Sequence, residues 1–161
     1  MDVLAGLIQT AFLAGGVLAL AALGEVLAER VGVVNLGVEG LMALGAVTAI
    51  ATVLAVPIPA LGFAAALAVG LVVGMAFALA TVVVRANQVL CGLALTLIGT
   101  GLAATIGKAY SGMPAPATFR PIHIPVLSDL PFLGRALFSH NVLVYLIFFI
   151  LPVILHWLGD M

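Results

Sequence analysis

Uncharged apolar runs long enough to cross a bilayer alternate along this chain with short polar breaks. The first run, 3–24, holds nothing more polar than Gln9 and Thr10. A spanning helix needs about 20 apolar residues, so a membrane helix is predicted there. The second run, 36–56, stops at Pro57 and Pro59, which cannot continue a helix. The third, 61–84, ends at the polar turn Arg85-Ala86-Asn87-Gln88, and the fourth, 89–106, follows at once. The last, 142–158, is at the short limit of spanning length. Within it Pro152 deprives the Phe148 carbonyl of its helical donor and predicts a kink. Tyr145 and Trp157 lie near its two ends, where interfacial aromatics sit. Residues 108–140 break the pattern, with Pro114, Pro116, Pro121, Pro125 and Pro131 among Lys108, Arg120 and Arg135. Proline at that density excludes a regular helix, so a loop with room for one short surface helix is expected.

The fold class that follows is all-α: a polytopic integral membrane bundle of about five transmembrane helices. Composition removes the soluble alternative. The chain is 65% hydrophobic and 7% charged, whereas a soluble domain carries about 25% charged residues; so little charge cannot cover a surface against water. A net charge of −1 gives no argument for nucleic acid. Before residue 3 there is no basic region, so 3–24 is expected to be a retained span and not a cleaved signal peptide.

The most informative break is Gly24–Met42, which concentrates Glu25, Glu29, Arg30 and Glu39 between uncharged runs. Asn35 stands just before a new apolar run, a good N-cap position. Glu39 then falls in the first helical turn, where a carboxylate suits the positive end of the dipole. The capping-box position three residues after Asn35 is Val38, so no box forms. Gly32, Gly37 and Gly40 let the backbone bend or approach a neighbour. Two readings are open: a polar loop between membrane helices, or a broken or re-entrant helix near Gly32–Gly40 that lines a solute path.

Small residues suggest where helices meet. In the third run Gly62, Ala66, Gly70, Gly74 and Ala78 recur four apart, each followed by a bulkier residue from Phe63 to Leu79. Such a seam favours helix packing in lipid, where burial between helices brings no hydrophobic gain. The fourth run places Gly92, Thr96, Thr100 and Ala104 on one face; the threonines can bond carbonyls four residues back or face a polar path. Candidate path residues are therefore Asn35, Glu39, Asn87, Gln88, Thr96 and Thr100.

Catalytic chemistry is not in view. His123, His140 and His156 match no metal spacing, and neither Gly-x-Ser-x-Gly nor His-Glu-x-x-His occurs. A phosphate-binding Gly-x-x-x-x-Gly-Lys loop is also missing. Cys91 is single and apolar in setting. Glu25 and Glu29, at i and i+4, read as a solvated helix face. No catalytic residue, metal or cofactor is assigned, and an intramembrane enzyme is disfavoured because the span centres hold nothing more polar than Thr.

The stretch Gly24-Glu25…Glu29-Arg30-x-Gly32-Val33-Val34-Asn35-Leu36-Gly37-Val38-Glu39-Gly40-Leu41-Met42 closely resembles the hallmark of permease subunits of ABC-type importers. It is most similar to the branch that imports nucleosides and simple sugars. Asn87-Gln88-Val89-Leu90-x-Gly92-Leu93-Ala94 and Pro121…Pro125-x-Leu127-Ser128-x-Leu130-Pro131-x-Leu133-Gly134 resemble further motifs of that branch. Ribose and branched-chain amino-acid permeases are more distant relatives with the same architecture. The resemblance implies a bacterial-type, multi-pass cell-membrane subunit that forms the solute path. It also implies a second permease subunit, a cytosolic ATPase subunit that hydrolyses ATP, and an external substrate-binding lipoprotein as partners. The Pro-rich loop 108–140 would then be external, with Arg30 and Arg85 cytoplasmic. Family members continue into an Arg-rich segment that has no counterpart before Met161, so the chain is expected to correspond to the N-terminal half of a permease, one transmembrane domain over 1–161. A small helical scaffolding protein without transport activity is the other class of reading.

Overall fold

The computed structural model describes residues 2–122 and 140–159. The chain divides into two compact units, Met1–Gly24 with Phe119–Met161, and Glu25–Thr118. Every regular element among the described residues is a helix: α1 (Asp2–Arg30), α2 (Val38–Ala55), α3 (Pro59–Ala78), α4 (Gln88–Gly107) and α5 (Val142–Gly159). A π turn, Leu79–Val83, extends α3, and a 3-10 turn, Lys108–Tyr110, extends α4. The stretches Gly6–Arg30, Val38–Ala55, Pro59–Val83 and Gln88–Tyr110 are long and apolar enough to cross a membrane, and Val142–Trp157 is a shorter apolar helix. The all-helical, membrane-spanning class expected from the hydropathy pattern is what the chain adopts.

The helix ends differ from the apolar runs in instructive ways. α1 does not stop at Gly24 but runs through the charged residues to Arg30, because Glu and Arg are good helix formers and Arg30 suits the negative end of the dipole. It ends in a Schellman motif: Gly32 has φ +81°, its N–H donates to the Glu29 carbonyl and that of Val33 to the Ala28 carbonyl, both at 2.9 Å. α2 begins at Val38 with Gly37 as N-cap, and no side chain caps it. Asn35 is therefore not the cap expected of it. Its Oδ1 accepts from the Gly37 N–H, 2.9 Å away, an Asx turn that holds 35–37 out of helical geometry. Glu39 does lie in the first turn of α2. α3 starts on Pro59, pre-set for a first turn. α4 is capped by Asn87, whose Oδ1 accepts from the Leu90 N–H at 3.1 Å.

In the unit Glu25–Thr118, α2 packs on both α3 and α4. Its contact with α4 is backbone against backbone. A Cβ added at Gly99 would lie 2.7 Å from both Cα and O of Gly40, and one at Gly40 would meet the Leu95 carbonyl and, at 2.9 Å, Thr96 Cα. Gly92 sits under Leu36 in the same way, its added Cβ 2.7 Å from the Leu36 nitrogen. Against α3 the close glycine is Gly62, where an added Cβ would be 2.5 Å from Val53 Cγ2 and 2.9 Å from the Ala49 oxygen. The small-residue seam of α3 is thus used only in part. Ala66 faces Gly45, but no described residue of this unit comes within 4 Å of a Cβ added at Gly70 or Gly74, and Ala78 is exposed. The packing expected at Gly70, Gly74 and Ala78 does not occur inside this unit; the close approach runs through Gly40, Gly92 and Gly99.

In the other unit the Phe12 ring stacks on Phe148, centroids 4.1 Å apart, and on the buried His140 at 5.3 Å. Gly16 is buried against Ile147 and Phe148. Asn141 caps α5 through the Val144 N–H at 3.1 Å, and α5 continues helical through Pro152. Of the expected Pro-rich loop, residues 111–122 carry no helix. Residues 123–139, with His123, Pro125, Pro131 and Arg135, lie outside the described residues.

Candidate functional site

Between Arg30 and Val38 the chain abandons helical hydrogen bonding, and its backbone polar groups need partners, above all if they lie near lipid. Side chains supply them. The Val34 N–H donates to Gln88 Oε1 at 2.8 Å, while Gln88 Nε2 donates to the Gly32 carbonyl at 3.3 Å. One primary amide thus serves a donor and an acceptor two residues apart, as a neighbouring strand would. The Asn35 N–H donates to Glu25 Oε1 at 2.7 Å. Asn35 itself binds Gly37, and Thr96 Oγ1 donates to the Leu36 carbonyl at 2.7 Å. The segment 31–37 is fastened from α1 by Glu25 and from α4 by Gln88 and Thr96.

These contacts also fix the arrangement of the ends. Gln88 opens α4 and touches Gly32 just past the end of α1, so the C-terminal ends of α1 and α3 and the N-terminal ends of α2 and α4 lie together. The turn 84–87 that closes α3 contains Arg85 at φ +58°, a left-handed conformation uncommon for a residue with a Cβ. Around it the chain widens into the π turn. Val84 N–H donates to the Leu79 carbonyl and Ala86 N–H to the Ala80 carbonyl, both at 3.0 Å. Wide turns of this type are frequent at functional sites.

The candidate residues separate into two groups. Asn35, Gln88 and Thr96 come together on the segment 31–37, and each commits a polar atom to backbone. Asn87 caps α4, and Thr100 Oγ1 bonds the Thr96 carbonyl one turn back at 2.7 Å. Glu39 stands apart. It is exposed, and among the described residues it has no hydrogen-bond or ion-pair partner, so Arg30 does not pair with it. The residue that sequence reasoning missed is Glu25. The i, i+4 spacing with Glu29 pointed to a solvated face, yet Glu25 is half-buried and holds the Asn35 N–H whereas Glu29 is exposed. Its only local signal is position: it lies two turns before a Gly-rich break whose N–H groups need acceptors.

A family model described as branched-chain amino acid transport system / permease component matches residues 7–159. The chain is 37% identical over 159 residues to a putative glucose ABC transporter permease protein of Haloferax volcanii, covering 96% of this chain and 48% of that protein. It is also 37% identical over 132 residues to a guanosine ABC transporter permease protein of Bacillus subtilis, covering 76% of this chain and 41% of that protein. The chain thus spans about half the length of the curated relatives it matches. No solved structure matches it.

Proposed function

The chain belongs to the permease-component family of branched-chain amino acid transport systems, and from that premise we propose that it forms part of the membrane path of an ABC-type importer for nucleosides or simple sugars. The observation that carries this reading is the likeness to a glucose and a guanosine permease protein over most of this chain. The geometry supports it. Transporters place non-helical backbone where it is shielded by protein or lines a cavity, and the segment 31–37 is such backbone, bound by side chains from both neighbouring helices. Glu39 at the start of α2 is the candidate for contact with a polar solute; Asn35, Asn87, Gln88, Thr96 and Thr100 are further candidates along the path, each with one polar atom already bound to backbone.

On this reading the chain hydrolyses no ATP itself. A cytosolic ATPase subunit drives the cycle, a second permease subunit completes the path, and an external lipoprotein delivers the solute across a bacterial-type cell membrane. The ends that carry Arg30 and Arg85 face the cytoplasm and the loop after Tyr110 faces outward, so a reporter fused at Met113 is expected to be active only outside. The family description favours a second solute class, branched-chain amino acids. The deciding experiment is reconstitution of a permease containing this chain with its ATPase and lipoprotein in proteoliposomes. ATP-dependent accumulation of labelled guanosine or glucose is expected. Accumulation of leucine alone would reassign the solute, and accumulation of none of the three would refute transport.

A further inference from the structure

α2 and α4 meet through backbone at Gly40, Leu95, Thr96 and Gly99, with no room for a Cβ, and close-packed contacts of that kind move as one body. The last turns of α1 are attached in a different way. They reach α2 through the non-helical segment 31–37, with the left-handed Gly32 at its start, and that segment is held by side-chain hydrogen bonds. Successive N–H groups point to opposite sides: Val34 to Gln88 on α4, Asn35 to Glu25 on α1. Both Gln88 bonds are exposed, and the one to Gly32 is long at 3.3 Å. Water competes for such bonds, so each shifts an equilibrium by about two- to tenfold only.

We infer that Val31–Gly37 is a hinge for the last turns of α1 and that the Gln88 side chain is its latch. When the amide releases Val34 and Gly32, rotation of the freed backbone also turns the next peptide, and Asn35 leaves Glu25 in the same step. The two clamps open together because they grip opposite sides of one short non-helical stretch. The inference concerns the mechanics of the fold and holds whichever solute the permease takes.

The test is deuterium exchange at single-amide resolution on the 161-residue chain in lipid nanodiscs. Gln88→Ala is expected to accelerate exchange at both Val34 and Asn35 by about three- to tenfold, while amides 41–47 in the α2–α4 crossing keep their rates. Acceleration at Val34 alone, or at neither amide, overturns the latch. If Gln88→Ala also loosens α2, Gln88→Met decides, since it keeps the length of the side chain but has neither an oxygen for the Val34 N–H nor an N–H for the Gly32 carbonyl. Faster exchange at Asn35 in that variant supports the hinge, and an unchanged rate overturns it.

Discussion

Adding one methyl group at the crossing of α2 and α4 tests the central packing claim. In Gly40→Ala the new Cβ would press on the Leu95 carbonyl, with Thr96 Cα at 2.9 Å and the Leu95 carbonyl carbon at 3.0 Å. Carbon atoms rest at about 3.5–4.0 Å, so the helices must part by roughly 0.5–1 Å, which forfeits about a quarter to a half of the local dispersion attraction. Overpacking of this kind costs about 1–3 kcal/mol. The same displacement stretches the bond from Thr96 Oγ1 to the Leu36 carbonyl, now 2.7 Å, and its loss adds about 0.5–1.5 kcal/mol. The expected total is about 1.5–4.5 kcal/mol. Gly99→Ala should cost a similar amount, because its Cβ lands on the Gly40 backbone. The double variant should cost less than the sum by about 1 kcal/mol, since helices already parted by one methyl have room for the other. Gly101→Ala is the control. Its Cβ meets no atom within 4 Å, so helix propensity alone should stabilise it by up to about 1 kcal/mol. The assay is unfolding by dodecyl sulfate in mixed micelles, followed by far-ultraviolet circular dichroism. Wild-type midpoints for both Gly40→Ala and Gly99→Ala, or fully additive costs, would refute the crossing.

Three further outcomes follow from the same geometry. Gly62→Ala should destabilise by about 1–3 kcal/mol in that assay, because its Cβ meets Val53 and the Ala49 oxygen, while Gly70→Ala and Gly74→Ala should not; the reverse order would restore the full seam of α3. Asn87→Ala should cost about 1 kcal/mol through loss of the cap on Leu90, an effect that Asn87→Ser should largely rescue. Glu39→Gln should leave the unfolding midpoint nearly unchanged, since only a dipole contribution of about 0.3–1 kcal/mol is at stake. In a permease containing this chain it should nonetheless abolish uptake, and full uptake by a well-assembled variant would return Glu39 to a purely anchoring role.

Hydropathy along the chain was sufficient for the class of fold and for the places where helices turn, because an apolar run of spanning length has few other stable states. Local chemistry was legible in part. Glu39 enters the first turn of α2 as its position predicted, whereas Pro59, read as a helix stop, also starts α3, and Asn87, read as a turn residue and path candidate, caps α4. What the sequence did not reveal is which way the helices face. These helices are apolar on every side, so no polar stripe marks the outer surface, and a row of small residues fits a neighbour in this unit as well as it fits lipid. Tertiary structure alone decided that Gly40, Gly92 and Gly99 carry the close approach while Gly70 and Gly74 stand clear of this unit. It likewise turned Asn35 from a helix cap into an Asx turn and Glu25 from a surface charge into a backbone clamp. The partner of Val34 is Gln88, 54 residues away, and a hydrogen bond across that separation exists only once the helices have met.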